Sequence, residues 1–332
     1  MLAFVCPGQG SQSPGFLAPW LELPGVAERL AELSEAAGTD LVAHGTTSDS
    51  ETIRDTAVAQ PLIVSASLVA LRALLDGTDA AEVAHLTAGH SVGEFTAAAV
   101  AGVLDDASAV ALVTRRAASM AQAAALTATG MSAVVGGDPD EVLAAIEAAG
   151  LWPANVNGAG QVVAAGALDG LARLADAPPA KARVIPLQVA GAFHTPFMQP
   201  ALDSFGPVAA AWPAADPRLL LLSDADGAPF GAGTGSGAVD APFGRGRDVL
   251  DRLAQQIVAP VRWDLCQETL AARGVTGLVE LSPAGVLTGL ARRTLPGVET
   301  VAVKTPADLD AARDLVRRHA ASPAPTTEEN PA

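Results

Sequence analysis

Gly89, His90, Ser91, Val92 and Gly93 constrain this chain more than any other segment, because they set a serine between two glycines where a strand should turn into a helix. A nucleophilic serine must stand clear of its own backbone for a carbonyl carbon to reach its Oγ, and flanking glycines let the chain double back that tightly. Val83 to Ala88 is short and largely apolar, and Glu94 to Leu104 is rich in alanine, so strand, turn and helix follow in the order the motif needs. The predicted helix would aim its free N–H groups back at Ser91 and favour negative charge developing there.

Half of the 332 residues are hydrophobic, which suits one large domain with an insert, or two domains. A formal charge of −16 argues against nucleic acid or an anionic membrane as the main partner. No N-terminal stretch combines a basic region, an apolar run and a small-residue cleavage site, and Asp105 and Asp106 interrupt the longest alanine- and valine-rich tract. A soluble, cytoplasmic enzyme is therefore expected. Cys6 and Cys266 are too few for a disulfide framework and lie at no metal-ligand spacing, so both read as buried free thiols.

The run Leu2 to Cys6 reads as a buried strand that discharges into Pro7, Gly8, Gln9, Gly10 and Ser11. That loop lacks the Lys-Ser/Thr ending of a P-loop and the three-glycine spacing of a dinucleotide fold, which leaves an oxyanion-binding loop as its reading. Helical stretches are expected to alternate with short strands through residue 125, as in a parallel sheet covered by helices. From Met131 the pattern changes: strand (Ser132 to Gly136), helix opened by Asp138, Pro139 and Asp140, strand (Ala154 to Asn157), strand (Gln161 to Ala165), helix (Leu168 to Ala175), strand (Arg183 to Val189). The order β-α-β-β-α-β predicts a ferredoxin-like subdomain over 128–192, inserted into an α/β-hydrolase-like large subdomain made of 1–127 and 193–320. Strands at Leu219 to Leu222, Gly277 to Leu281 and Thr300 to Val303 would continue the large sheet. Gly227 to Gly246 reads as a surface loop and Ala321 to Ala332 as a disordered tail.

A serine hydroxyl is a weak nucleophile until a base takes its proton, so the histidines are the candidates. His194 stands out in Gly191, Ala192, Phe193, His194, Thr195 and Pro196, just after the strand that closes the small subdomain. His90 sits beside the serine, with its side chain expected to leave the turn in another direction. His44, His85 and His319 lie in polar or helical surroundings and read as structural or exposed.

Pro7-Gly8-Gln9-Gly10-Ser11-Gln12, Gly89-His90-Ser91-Val92-Gly93-Glu94, Asn155-Val156-Asn157, Gly191-Ala192-Phe193-His194 and Gln255-Gln256 recur in the order seen in malonyl-CoA:acyl-carrier-protein transacylases, and the chain resembles the stand-alone form of that family from about Leu2 to Pro306. The resemblance implies that Ser91 attacks the malonyl thioester with His194 as general base and then general acid. It implies a Ser-His pair whose histidine is oriented by the backbone carbonyl of Gln256, and an oxyanion hole from the backbone N–H groups of Gln9 and Val92. Arg116 would grip the free malonyl carboxylate in two parallel hydrogen bonds, while Arg115 reads as a solvated surface charge. Gln60, His90, Asn157 and Phe193 match pocket-lining positions, and the Phe193 ring would crowd a methyl branch. The partners implied are malonyl-CoA and an acyl carrier protein, with no metal or bound cofactor; nothing in the sequence demands more than a monomer, and on spacing alone Lys181 with Arg183, and Arg245 with Arg247, are candidate basic docking patches.

Two departures from the family pattern stand out: Asp224 occupies a usual asparagine position, and Ser282, Pro283, Ala284 and Gly285 replace a more usual Gly-Pro-Gly. Two rival readings remain open at this stage. A serine esterase or thioesterase shares the elbow and would need an acid, for which Asp169 or Asp176 could be nominated. The other rival is a carrier-binding scaffold that has lost activity. Service to fatty-acid or to polyketide synthesis is also left open.

Overall fold

The computed structural model describes residues 1–230 and 245–320, so the expected loop Gly227 to Gly246 lies mostly, and the expected tail Ala321 to Ala332 wholly, outside the described residues. The strands among the described residues are, in chain order, β1 (Leu2–Cys6), β2 (Leu86–Gly89), β3 (Thr129–Gly136), β4 (Trp152–Gly158), β5 (Gln161–Ala167), β6 (Ala182–Pro186), β7 (Leu220–Leu222), β8 (Pro229–Phe230), β9 (Val261–Arg262), β10 (Gly277–Glu280) and β11 (Glu299–Ala302). They form two sheets.

The first sheet runs β11-β10-β1-β2-β7-β8 and is parallel except for the last strand, which pairs antiparallel with β7. β1 lies between β10 and β2 with every residue buried. A strand covered on both faces has no reason to alternate apolar with polar, which accounts for the unbroken run Leu2 to Cys6. Because β1 and β2 are parallel neighbours, the loop Pro7 to Ser11 and the elbow both leave at the carboxyl end of the sheet, where open α/β sheets hold their ligands.

The second sheet runs β6-β3-β5-β4-β9. Its first four strands are mutually antiparallel, with the helices Pro139–Ala148 and Leu168–Asp176 in the crossovers, so the fold is α/β with a ferredoxin-like unit as expected. Asp138 starts the first of these helices by accepting from the N–H groups of Asp140 (3.0 Å) and Glu141 (3.3 Å). The fifth strand comes from outside the unit: β9 pairs parallel with β4, Asn155 opposite Val261 and Val156 opposite Arg262. That two-residue pairing links the small sheet to the chain that leads out of Gln256.

Between β1 and β2 the described chain is helical, which differs from the alternation of helices and strands expected through residue 125. The helix Thr56–Leu75 is the reason: it is buried nearly all round and carries Pro61 inside it, so no polar stripe betrays its period. By length and composition it could cross a membrane, and the reading of hydrophobic tracts passed over it; most of it is buried in the protein. It packs along the helix Asp106–Ala124. Asp106, in the first turn of the latter, receives Arg29 (2.6 Å) and both Nη2 (2.5 Å) and Nε (2.9 Å) of Arg72. Burial pushes the Asp106 carboxyl up, and the two guanidinium groups overcome it and hold the group below its ordinary range. The helix that carries Arg116 is thus pinned at its start to two neighbours.

Candidate active site

The elbow's glycines are required by close approach. A Cβ on Gly89 would stand 2.1 Å from the carbonyl carbon of Gly93, and one on Gly93 would stand 2.2 Å from the Cys6 oxygen of β1. The residue that takes the left-handed conformation is Ser91 itself, at φ 52°. His194 is likewise at φ 61°. Both are non-glycine residues held where L side chains are strained, a condition that concentrates at functional sites.

The Oγ of Ser91 lies 2.7 Å from Nε2 of His194, and His194 Nδ1 lies 2.8 Å from the main-chain oxygen of Gln256. A carbonyl can only accept, so Nδ1 carries the proton and the Nε2 lone pair faces the serine hydroxyl. Burial, and then the charge of Arg116, hold the imidazole down at a pKa of about 3, so it is neutral and ready to accept a proton at neutral pH. Among the described residues no carboxylate stands at Nδ1: Asp169 is exposed and paired with Arg173 (2.8 Å), and Asp176 is exposed, so neither acid nominated for an esterase triad is placed there.

Arg116 is fully buried, with Nη2 3.5 Å from Ser91 Oγ. Nη1 donates to Oε1 of Gln60 (2.8 Å) and Nη2 to Oε1 of Gln256 (2.6 Å), while Nε has no partner among the described residues. Its carbon sits 5.7 Å from the centre of the Phe95 ring, a cation–π contact. Burial lowers its pKa to about 10, against support from the charges of Asp224 and Glu94, and it stays protonated at neutral pH. Arg115, one residue away, is exposed.

The N–H groups of Gln9 and Val92 donate to no partner among the described residues, while those of Ser91, Gly93 and Glu94 donate to Asp224 Oδ2 (2.7 Å), His90 O (2.9 Å) and Ser91 O (3.0 Å). The expectation that the helix aims several free N–H groups at Ser91 therefore reduces to one, from Val92. Two free donors flanking one hydroxyl can hold a developing oxyanion. Ser91, His194, Arg116, Gln9, Val92 and Gln60 share the walls of one cavity of about 450 Å³, together with His90, Asn157 and Phe193. His90 does leave the turn in another direction: its Nε2 lies 2.9 Å from Oδ1 of Asn157 on β4, and its ring packs on Trp263. Both cysteines are buried free thiols.

The comparisons with known proteins agree on one family. A family model for the acyl transferase domain matches residues 3–307. The malonyl CoA-acyl carrier protein transacylase of Mycobacterium bovis is 52% identical over 320 residues, 95% of this chain and 100% of that protein. The crystal structure of MCAT from Mycobacterium tuberculosis superposes with a TM-score of 0.85 at 51% identity, covering 95% of this chain and 99% of that one. A type II PKS acyl-carrier protein in complex with its malonyl-transacylase (PlMCAT:AntF) matches at a TM-score of 0.82 and 30% identity, over 94% and 99%. This chain belongs to the malonyl CoA-acyl carrier protein transacylase family.

Within that family frame, the sequence reading missed side chains below the elbow. Gln256 was assigned a role through its backbone alone, yet its side chain also takes Arg116 on Oε1 and turns Nε2 toward Ser91 O (3.1 Å) and Asp224 (3.1 Å to Oδ2). Glu94 is buried and reaches the same Nε2. A Gln-Gln pair between Leu253-Ala254 and Ile257-Val258 carries no sign of which neighbours its side chains will meet. The loop Ser282 to Gly285 leads into the helix Val286–Thr294, whose Val286, Leu287 and Leu290 line the cavity and whose first N–H groups are taken by buried Glu280 (3.0 Å from Leu287, 2.8 Å from Thr288).

Proposed function

We propose that this chain transfers the malonyl group from malonyl-CoA to the phosphopantetheine thiol of an acyl carrier protein by way of an ester on Ser91. The observation that carries the reading is Arg116, a fully buried cation 3.5 Å from the candidate nucleophile. A malonyl thioester has its carboxylate one methylene away from the carbonyl that Ser91 would attack, so the two ends of the acyl group match that spacing. Charge-assisted hydrogen bonds of this kind contribute roughly 1.5–3 kcal/mol each. An acetyl group brings no partner for the guanidinium.

In the forward half-reaction Ser91 Oγ adds to the thioester carbon as its proton passes to His194 Nε2. The oxyanion accepts from the N–H groups of Gln9 and Val92, each donor being worth on the order of 10²–10³ in rate. The C–S bond then breaks, and the CoA sulfur takes the proton from His194. In the second half-reaction the carrier thiol gives its proton to His194 and attacks the ester, and Ser91 leaves with that proton. The Gln256 carbonyl steadies the imidazolium in both directions. The same chemistry serves carrier proteins of fatty-acid and polyketide synthesis, and the reading includes a cytoplasmic monomer.

Intact-protein mass spectrometry after mixing with malonyl-CoA, acetyl-CoA or methylmalonyl-CoA tests the reading. A malonyl adduct that vanishes in Ser91→Ala, with little acetyl adduct and little methylmalonyl adduct beside the buried Phe193, is the expected result. An acetyl adduct as abundant as the malonyl one would overturn it.

A further inference from the structure

Two carboxyl groups lie under the nucleophile where the proposed reaction uses none. Glu94 opens the helix Gly93–Val100, a place where a carboxylate normally meets water, yet it is buried; Asp224, on the turn after β7, is fully buried beside it. Neither has a cation within hydrogen-bond reach among the described residues, since Arg116 is spent on the two glutamine oxygens and Arg252 on Asp226. The donors they do have are few. Asp224 N–H donates to Glu94 Oε1 (2.7 Å), and Ser91 N–H donates to Asp224 Oδ2 (2.7 Å).

Everything else falls on Gln256 Nε2. It faces Ser91 O at 3.1 Å, Asp224 Oδ1 at 3.2 Å, Asp224 Oδ2 at 3.1 Å and Glu94 Oε2 closer still. An amide nitrogen has two hydrogens, and the group cannot turn over because its oxygen receives Arg116, which can only donate. Four acceptors around two hydrogens leave the cluster short of a donor. Two adjacent buried negative charges are costly besides.

We propose that Glu94 and Asp224 share one proton and act together as a positioning unit, holding the Ser91 N–H on Asp224 and the Gln256 amide in the orientation that presents its oxygen to Arg116. The inference rests on the reading of Ser91 as the nucleophile. Burial first, and then the mutual charge, push the Glu94 carboxyl up, and burial pushes Asp224 up likewise, which is the direction a retained proton requires. The other groups facing the pair do not supply it. Cys266, on the helix Trp263–Ala272, is kept a thiol by burial and donates to Ser223 O (3.4 Å); Arg262 is paired with Asp264 (2.7 Å) and Arg252 with Asp226 (2.9 Å). His194 is neutral and turned toward Gln256 O and Ser91.

When the pair gives its proton to hydroxide at alkaline pH, a second buried negative charge appears beneath Ser91 and opposes the oxyanion that acylation must build. Asp224→Asn replaces the shared proton by a fixed amide donor toward Glu94 and keeps an oxygen for Ser91 N–H, whereas Asp224→Ala supplies neither. The test is the pH dependence of single-turnover acylation by malonyl-CoA in the full-length protein, with the infrared C=O stretch of a protonated carboxyl as a second readout. Asp224→Ala should slow acylation about tenfold or more, with Asp224→Asn recovering most of the loss. Asp224→Asn should move the alkaline limb up by about one pH unit or more, and the protonated-carboxyl band of the wild type should be missing from it. Titration of Arg116 would move that limb the opposite way, because the Asp224 charge supports the guanidinium. An unmoved or lowered limb, or a carboxyl band that survives Asp224→Asn, overturns the proposal. A wild type that never acylates Ser91 overturns the function instead, with the infrared band still reporting on the proton.

Discussion

Oε1 of Gln256 lies 2.6 Å from Nη2 of Arg116, so the residue whose backbone orients the histidine also steers the cation that would grip the substrate. Gln256→Ala keeps the main-chain oxygen for His194 and removes the side-chain acceptor. The loss of one charge-assisted hydrogen bond, roughly 1.5–3 kcal/mol, should weaken malonyl acylation on the order of 10- to 100-fold. Selectivity against acetyl-CoA should fall with it. Measurement of kcat/KM for both thioesters separates this from a simple loss of fold, which would lower the two alike.

Arg116 itself should matter more. Removing both arms of a two-pronged grip in Arg116→Ala is expected to cost on the order of 10²–10⁴ in malonyl transfer while leaving acetyl transfer much less affected. Arg116→Lys should recover little, because a point charge cannot reproduce the planar fork or the contact with Phe95. Equal losses for malonyl and acetyl substrates would show that the guanidinium serves the fold and not the acyl group.

His194 carries a pH signature that follows from its burial. Its ordinary value near 6.5 is held down to about 3, first by burial and then by Arg116, so folding favours the neutral ring. The stabilisation is complete above the unfolded-state value and is lost as pH falls from about 6.5 toward 3, a few kcal/mol at most. The acid limb of kcat/KM for malonyl-CoA should therefore lie well below 6.5. A carboxylate bound to Arg116 cancels part of the charge that depresses the imidazole. The acid limb of the acylation rate at saturating malonyl-CoA should then sit at higher pH than the kcat/KM limb. Coincident limbs near 6.5 would contradict this account.

The elbow and the ferredoxin-like unit could be read from the chain because each is local. Gly89 and Gly93 flank Ser91 within five residues, and β3 to β6 follow one another with a helix in each crossover, the first of them capped by Asp138. The pairing of β4 with β9 could not be read, since two residues carry no periodicity and their partners lie more than a hundred positions away. The network below the serine was hidden for another reason. Glu94 in the first turn of a helix looks like an acid placed for the helix dipole in water, and only the fold reveals that Asp224 and Gln256 close over it.

Gly93 offers a test of the elbow that involves no reacting atom. A Cβ there would stand 2.2 Å from the Cys6 oxygen and 2.8 Å from the Pro7 oxygen, both main-chain atoms of the central strand and its loop, so something in the backbone must shift. Overpacking of this kind costs typically about 1–3 kcal/mol. Gly93→Ala should lower the unfolding free energy by that amount, read from denaturant titration, and abolish Ser91 acylation, because β1, the Gln9 loop and the elbow can no longer keep their spacing. Gly274→Ala, at a glycine with no neighbour close to the added carbon, serves as the control: its loss should come from the left-handed backbone at φ 70° alone and leave acylation in place.

Carrier proteins are typically acidic, so the proposed docking calls for a local cationic surface on a chain whose net charge is −16. Of the two pairs proposed from the sequence, Lys181 and Arg183 are exposed at and beside the start of the edge strand β6, and the chain that continues from β6 through Pro186, Leu187 and Gln188 forms a wall of the cavity. Arg247 of the second pair donates to the main-chain oxygens of Ala209 and Ala210, which ties it to the end of a helix. Charge reversal at Lys181 and Arg183 together should raise KM for the carrier protein several-fold, more at low salt than at 0.15 M, and leave the malonyl-CoA half-reaction alone. The same reversal at Arg245 and Arg247 should have the smaller effect on carrier kinetics. A larger effect from the second pair would move the docking face to the start of the helix Gly246–Gln255, whose end leads directly to the carbonyl that holds His194.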